Sequence, residues 1–110
     1  MNIIVNVYYS GESGNARKFA EEMEGSGIAE QIRRKQGNLE YEYFLPMNDP
    51  ETVLLIDCWQ SQADLDEHHA SPIMEKILEL REKYDLHMKV ERYLSDDAGT
   101  PDSDKQFIRG

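Results

Sequence analysis

One cysteine in 110 residues, Cys58, leaves no partner for a disulfide within the chain and no cysteine cluster for a metal. Such sparing use suits a reducing cytoplasm. No apolar run approaches the roughly 20 residues of a membrane-spanning helix, and the opening MNIIVNVYY lacks the basic start and small-residue cleavage site of a signal peptide. The expectation is a soluble cytoplasmic protein. Positive charge is also scarce: 12 Lys and Arg stand against 22 Asp and Glu, and the net charge of -10 repels phosphate backbones and anionic lipid. Nucleic acid and membrane are therefore not expected as partners. The turn GESG at Gly11 to Gly14 lacks the Lys-Ser/Thr ending of a phosphate loop, and the chain has no dinucleotide fingerprint, nucleophile elbow or Cys/His metal spacing. No cofactor and no metal are expected.

The length suits one domain, with a core large enough that leaving a sheet face bare would be costly. Its centre is Thr52 to Pro72, TVLLIDCWQSQADLDEHHASP. Val53, Leu54, Leu55, Ile56, Cys58 and Trp59 are interrupted only by Asp57, so a strand here is apolar on both faces and something must cover each side. After Trp59 the period changes. Ser61 and Asp64 form a capping-box start, and Leu65, His68 and His69 then fall on one helical side, which brings an indole and an imidazole to one sheet edge.

The flanking pattern completes the fold. Ile3 to Tyr9 reads as a strand with Ile3, Val5, Val7 and Tyr9 on one face and Ile4, Asn6 and Tyr8 on the other. Asn6 is either a buried amide needing partners or an edge position in water. From a cap at Ser13 or Asn15, Ala16, Phe19, Ala20 and Met23 make a helical stripe, broken at Gly25-Ser26-Gly27 and continued by Ile28 and Ile32 towards a cap at Gly37. Leu39, Tyr41, Tyr43 and Leu45 alternate with Glu40, Glu42 and Phe44 in a second strand, paired antiparallel with the central one through PMNDPE. Ser71-Pro72 starts another helix with Ile73, Ile77, Leu80 and Tyr84 buried, and Leu86 to Leu94 is a last strand. Residues 1–94 form the domain. From Ser95 a polar tail, 95–110, ends in Phe107-Ile108.

Strand, helix, strand, strand, helix, strand is the ferredoxin-like βαββαβ order, an α+β fold with both helices on one face of a four-stranded antiparallel sheet. The other face calls for a second copy of the same sheet, hence a two-fold homodimer.

The stretches GNLEYE at Gly37 to Glu42, VLLIDCW ending at Trp59 and LDEHHASP at Leu65 to Pro72, in this order and spacing, resemble the antibiotic biosynthesis monooxygenase domain family, which includes quinol monooxygenases built as dimeric α+β barrels. The resemblance runs from Ile3 to about Leu94. It implies a cofactor-independent monooxygenase that oxidises a small electron-rich, quinol-like aromatic with dioxygen, since a deprotonated quinol can itself hand an electron to dioxygen. Many members carry a second histidine after the Ser-Pro. This chain has Ile73 there, so a mechanism requiring that imidazole does not carry over.

By the same resemblance His68, nine residues after Trp59, is the candidate base for a phenolic proton. Asn6 is a candidate for holding a substrate oxyanion. Trp59 could wall an aromatic pocket, and Tyr41 and Tyr43, on one face of the second strand, could line it or pack an interface. Asp57 shares the Trp59 face and, if buried, must be hydrogen-bonded or carry a raised pKa. His69 points about 100° around the helix from His68, towards solvent or a partner, and is a further substrate-contact candidate. Cys58, opposite, reads as inert core. A second class of function stays open: a dimeric small-ligand binder, a haem-handling relative or an isomerase of a signalling metabolite on the same fold.

Overall fold

The computed structural model describes residues 1–110 and has the expected order of elements. Strands β1 (Ile3–Ser10), β2 (Asn38–Phe44), β3 (Thr52–Trp59) and β4 (His87–Leu94) form one antiparallel sheet in the order β2-β3-β1-β4. Helices α1 (Asn15–Gly25), α2 (Ile28–Arg33), α3 (Gln62–His69) and α4 (Ile73–Lys83) pack on one face, and a short α5 (Asp102–Lys105) lies in the tail. This is the ferredoxin-like α+β fold. Phe107 and Ile108 remain exposed.

The two-sided apolar character of β3 resolves cleanly. Val53, Leu55, Asp57 and Trp59 are buried beneath the helices, while Leu54, Ile56 and Cys58 are half-buried on the far face with Ile4, Asn6 and Tyr8 of β1. The helix-side core of Tyr9, Phe19, Met23, Ile32, Val53, Trp59 and Leu65 is closed almost completely to solvent. Both faces of β1 and β3 alternate as their period-two pattern requires.

Several local expectations need correction. Neither Ser13 nor Asn15 caps α1: Gly14, at φ 75°, is the N-cap, and Ser13 sits in a preceding 3-10 turn at φ 59°. Helix α2 stops at Arg33 instead of running to Gly37, because Arg34 already closes it. Gly37 has another duty. At φ 83° it turns the chain into β2, and a Cβ there would lie 2.6 Å from Cβ of Asp64, in the first turn of α3. A β-bulge between Asn38 and Glu40 removes Leu39 from the face of Tyr41 and Tyr43 and leaves it exposed, as is Leu45 beyond the strand.

These adjustments place the site. Gln60 N–H donates to the Gly37 carbonyl at 2.7 Å, tying the α2–β2 turn to the end of β3. Ser61 Oγ accepts from Asp64 N–H at 3.2 Å and so caps α3 at that junction. Lys35, in the turn, and His68, near the end of α3, are brought together from 33 residues apart. The helices cover β1, β2 and β3 and leave the inner face of β4 open, so Met88, Val90 and Arg92 border a cleft.

Candidate active site

Between the sheet and helices α3 and α4 lies a cavity of about 220 Å³, walled by Val5, Val7 and Leu55 from the sheet and by Leu65, Met74 and Ile77 from the helices. It opens beside β4. Of the residues singled out from sequence, Tyr41, Asp57, His68 and His69 line it. The others stand elsewhere. Asn6 is on the opposite face of the sheet, its Oδ1 buried without a hydrogen-bond partner. Trp59 lies behind His68, ring on ring at 5.0 Å between centroids and 21° between planes, so it supports the imidazole and does not border the cavity. Tyr43 is one layer back, its hydroxyl 3.1 Å from that of Tyr41. Burial pushes both of these phenols well above their ordinary range, which keeps them neutral.

Asp57 is the single carboxyl facing the cavity. Register pairs it with Tyr41 on one side and Val5 on the other, in the most apolar strand of the sheet. Burial drives its pKa up from 3.8 to about 7. Asn38 opposes this shift, its Nδ2 donating to Oδ1 at 3.3 Å. The Trp59 indole acts in the same direction, although its Nε1 falls outside hydrogen-bonding geometry and has no partner. Asn38 was not singled out from sequence. It reaches Asp57 because the bulge also lets the same amide meet the carbonyls of Glu40 and Cys58.

His68 is buried and held from two directions besides the stack on Trp59. Lys35 Nζ lies 3.0 Å from Nδ1 and also donates to Ser71 Oγ, which in turn donates to the His68 carbonyl at 2.6 Å. An ammonium has only protons to offer, so Nδ1 accepts and the proton of the neutral ring resides on Nε2. Desolvation, followed by the charges of Lys35 and His69, lowers the His68 pKa to about 4. Near neutrality the ring is therefore an uncharged N–H donor and only a weak base, its Nδ1 lone pair already engaged by Lys35. Lysine 35 was not singled out either, since nothing in the local pattern of the α2–β2 turn marks it.

Two arginines complete the lining. Arg81 donates to the Tyr9 hydroxyl at 3.4 Å, and exposed Arg92 donates to Gln62 Oε1 at 2.7 Å. No three His, Cys, Asp or Glu side chains converge as a metal-ligand set, and no helix is long and apolar enough to cross a membrane.

The sequence profile of the antibiotic biosynthesis monooxygenase family matches residues 2–80. The chain belongs to that family. No curated protein matches it in sequence. Among solved structures, a proposed antibiotic biosynthesis monooxygenase from Deinococcus radiodurans superposes with a TM-score of 0.76 at 18% identity, covering 90% of this chain and 97% of its own. A second such protein, from Nitrosomonas europaea, gives 0.76 at 17%, covering 87% and 91%. SnoaB, a cofactor-independent oxygenase from Streptomyces nogalater, gives 0.72 at 7%, covering 87% and 94%. At these identities the likeness establishes the fold alone.

In this family member the Asp57 shift has a consequence for stability. The folded state keeps a proton that the unfolded chain loses above its ordinary value of 3.8, so the contribution is full below that value and is lost as pH rises through about 7. Asp57→Asn keeps the shape and stays neutral. It should melt higher than the parent, the gap widening from about pH 4 to pH 7, flat above that, and reaching roughly 5 °C or more. Thermal melts across that range check this, and a gap independent of pH would contradict the shift.

Proposed function

We propose that the protein is a cofactor-independent monooxygenase acting on a small, electron-rich, quinol-like aromatic, with Asp57 as proton acceptor and His68 as hydrogen-bond donor. The observation that carries this reading is the pairing, in one cavity, of a carboxyl that titrates near 7 with an imidazole kept neutral by burial and by the charge of Lys35. A base is most effective when its pKa lies near the working pH. Asp57 meets that condition, and His68 does not.

The aromatic ring enters past β4 and lies against Val5, Val7, Leu55 and Ile77. Asp57 takes a phenolic proton, and the His68 N–H stabilises the phenolate oxygen, the use of a neutral imidazole as electrophile known from other enzymes. The electron-rich phenolate passes an electron to dioxygen, and the resulting pair combines at ring carbon. For a quinol the overall change is quinol plus dioxygen to hydroxyquinone plus water: one oxygen atom enters the ring and the other leaves as water. The apolar walls exclude bulk water while the reactive pair exists. The oxygenase SnoaB, on the same fold, supports this chemistry as a reading.

Tyr41 would bound the substrate beside Asp57, with Tyr43 backing it, and His69 would lie at the cavity edge. Asn6, on the far face, has no route to this cavity. We place it instead in a dimer interface, where a second copy covers Ile4, Tyr8, Leu54, Ile56, Phe44 and Tyr93 and can donate to its orphaned Oδ1.

Dioxygen uptake with a panel of hydroquinones tests the activity, and no uptake by folded protein would overturn it. On an active substrate, kcat/KM should rise with pH along an acid limb centred near 7, and Asp57→Asn should lower it about 100-fold or more and abolish that limb. His68→Gln should lower turnover yet leave the limb in place. A limb that disappears with His68 and survives in Asp57→Asn would reverse the two roles. For assembly, light scattering at micromolar concentration should give twice the monomer mass, and a stable monomer would refute the covered sheet face.

A further inference from the structure

Basic residues are outnumbered almost two to one in this chain, so a guanidinium that escapes every carboxylate calls for a reason. Arg81 and Arg92 are both outside the salt bridges of the molecule, and both border the cavity. Arg81 lies with its guanidinium carbon 5.7 Å from the centre of the Tyr9 ring, and its Nε is buried with no hydrogen-bond partner at all. A buried donor without an acceptor is costly unless something supplies one. The side chain of Arg92 projects to the cavity from the open edge strand.

Register fixes how far one of these groups, Arg92, is from the acid. Val5 pairs with Asp57 on β3 and with Arg92 on β4, so Asp57 and Arg92 share a face two strand spacings apart, roughly 10 Å. A single substituted ring spans that gap, with a hydroxyl at the Asp57 end and an acid group at the arginine end. A cavity of about 150 Å³ suffices for benzene, and the 220 Å³ here leaves room for a few substituents.

We propose that Arg81, assisted by Arg92 at the mouth, forms a carboxylate subsite, so that the substrate is a hydroxylated aromatic acid and not an uncharged quinol. The proposal rests on the reading of this cavity as the substrate site. The planar fork of an arginine matches the two oxygens of a carboxylate, and the Tyr9 hydroxyl beside it offers a further donor. Overall charge disfavours an anion at long range, so recognition depends on these local groups.

The test uses redox-inert ligands and the full chain. Calorimetric titration with 4-hydroxybenzoate and 4-hydroxybenzamide should show the acid binding about tenfold or more tightly, as one charge-assisted contact provides. Added salt should narrow the difference, Arg92→Gln should reduce it in part, and Arg81→Gln should remove it. Equal binding of acid and amide, no binding of either by folded protein, tighter binding of phenylphosphonate than of benzoate, or a preference unchanged in both variants would each overturn the carboxylate assignment. Dioxygen uptake is followed separately. Acid preference without uptake on a dihydroxybenzoate keeps the subsite and removes the monooxygenase reading, whereas uptake on neutral quinols without acid preference does the reverse.

Discussion

A carboxyl group on the most deeply buried strand, with one side-chain amide to hold it, is the constraint on which the site depends. Asp57 interrupts an otherwise apolar run at the centre of the sheet, and its neighbours on that face are Tyr41, Leu55, Val5 and Trp59. Placing an ionised carboxylate there would carry a large desolvation penalty, so the group keeps its proton up to about pH 7. A core position chosen for stability alone would carry leucine or valine. Retaining an acid sacrifices stability for a group able to exchange a proton near neutrality, a common trade at functional sites.

The same economy governs His68. A histidine near the C-terminus of a helix would ordinarily gain from the helix dipole as a cation. Here burial and the ammonium of Lys35 outweigh that gain and hold the ring neutral, stacked on Trp59. The contact between the α2–β2 turn and α3 makes this possible, since Gly37 lets the turn approach Asp64 and Gln60 fastens it to β3. A carboxyl that titrates near neutrality and an imidazole held neutral are thus set apart by environment and not by residue type alone.

Much of the fold was legible in the sequence because it rests on periodicity. The faces of β1 and β3, the stripe of α4 and the Ser61 cap follow from residue spacing, and the same alternation assigns Asp57 to the Trp59 face, where burial demands a hydrogen bond or a raised pKa and the structure has both. What was illegible rests on distant contacts or local irregularity. The bulge at Asn38 shifted Leu39 and delivered an amide to Asp57, and Lys35 meets His68 across 33 residues. The arginines did leave a trace. Arg92 alternates with Met88 and Val90 on an inward face, and Arg81 follows Ile77 by four on the buried side of α4, so a charge in an apolar register was the available signal.

Asp57, and not His68, is the group of this cavity that titrates near neutrality. Following the side-chain carboxyl carbons of all aspartates by carbon-13 NMR as pH is raised measures this directly. One resonance, lost in Asp57→Asn, should move with a midpoint near 7. If every aspartate resonance has completed its shift by about pH 5, Asp57 is an ordinary carboxylate and the assignment of roles in this cavity is wrong.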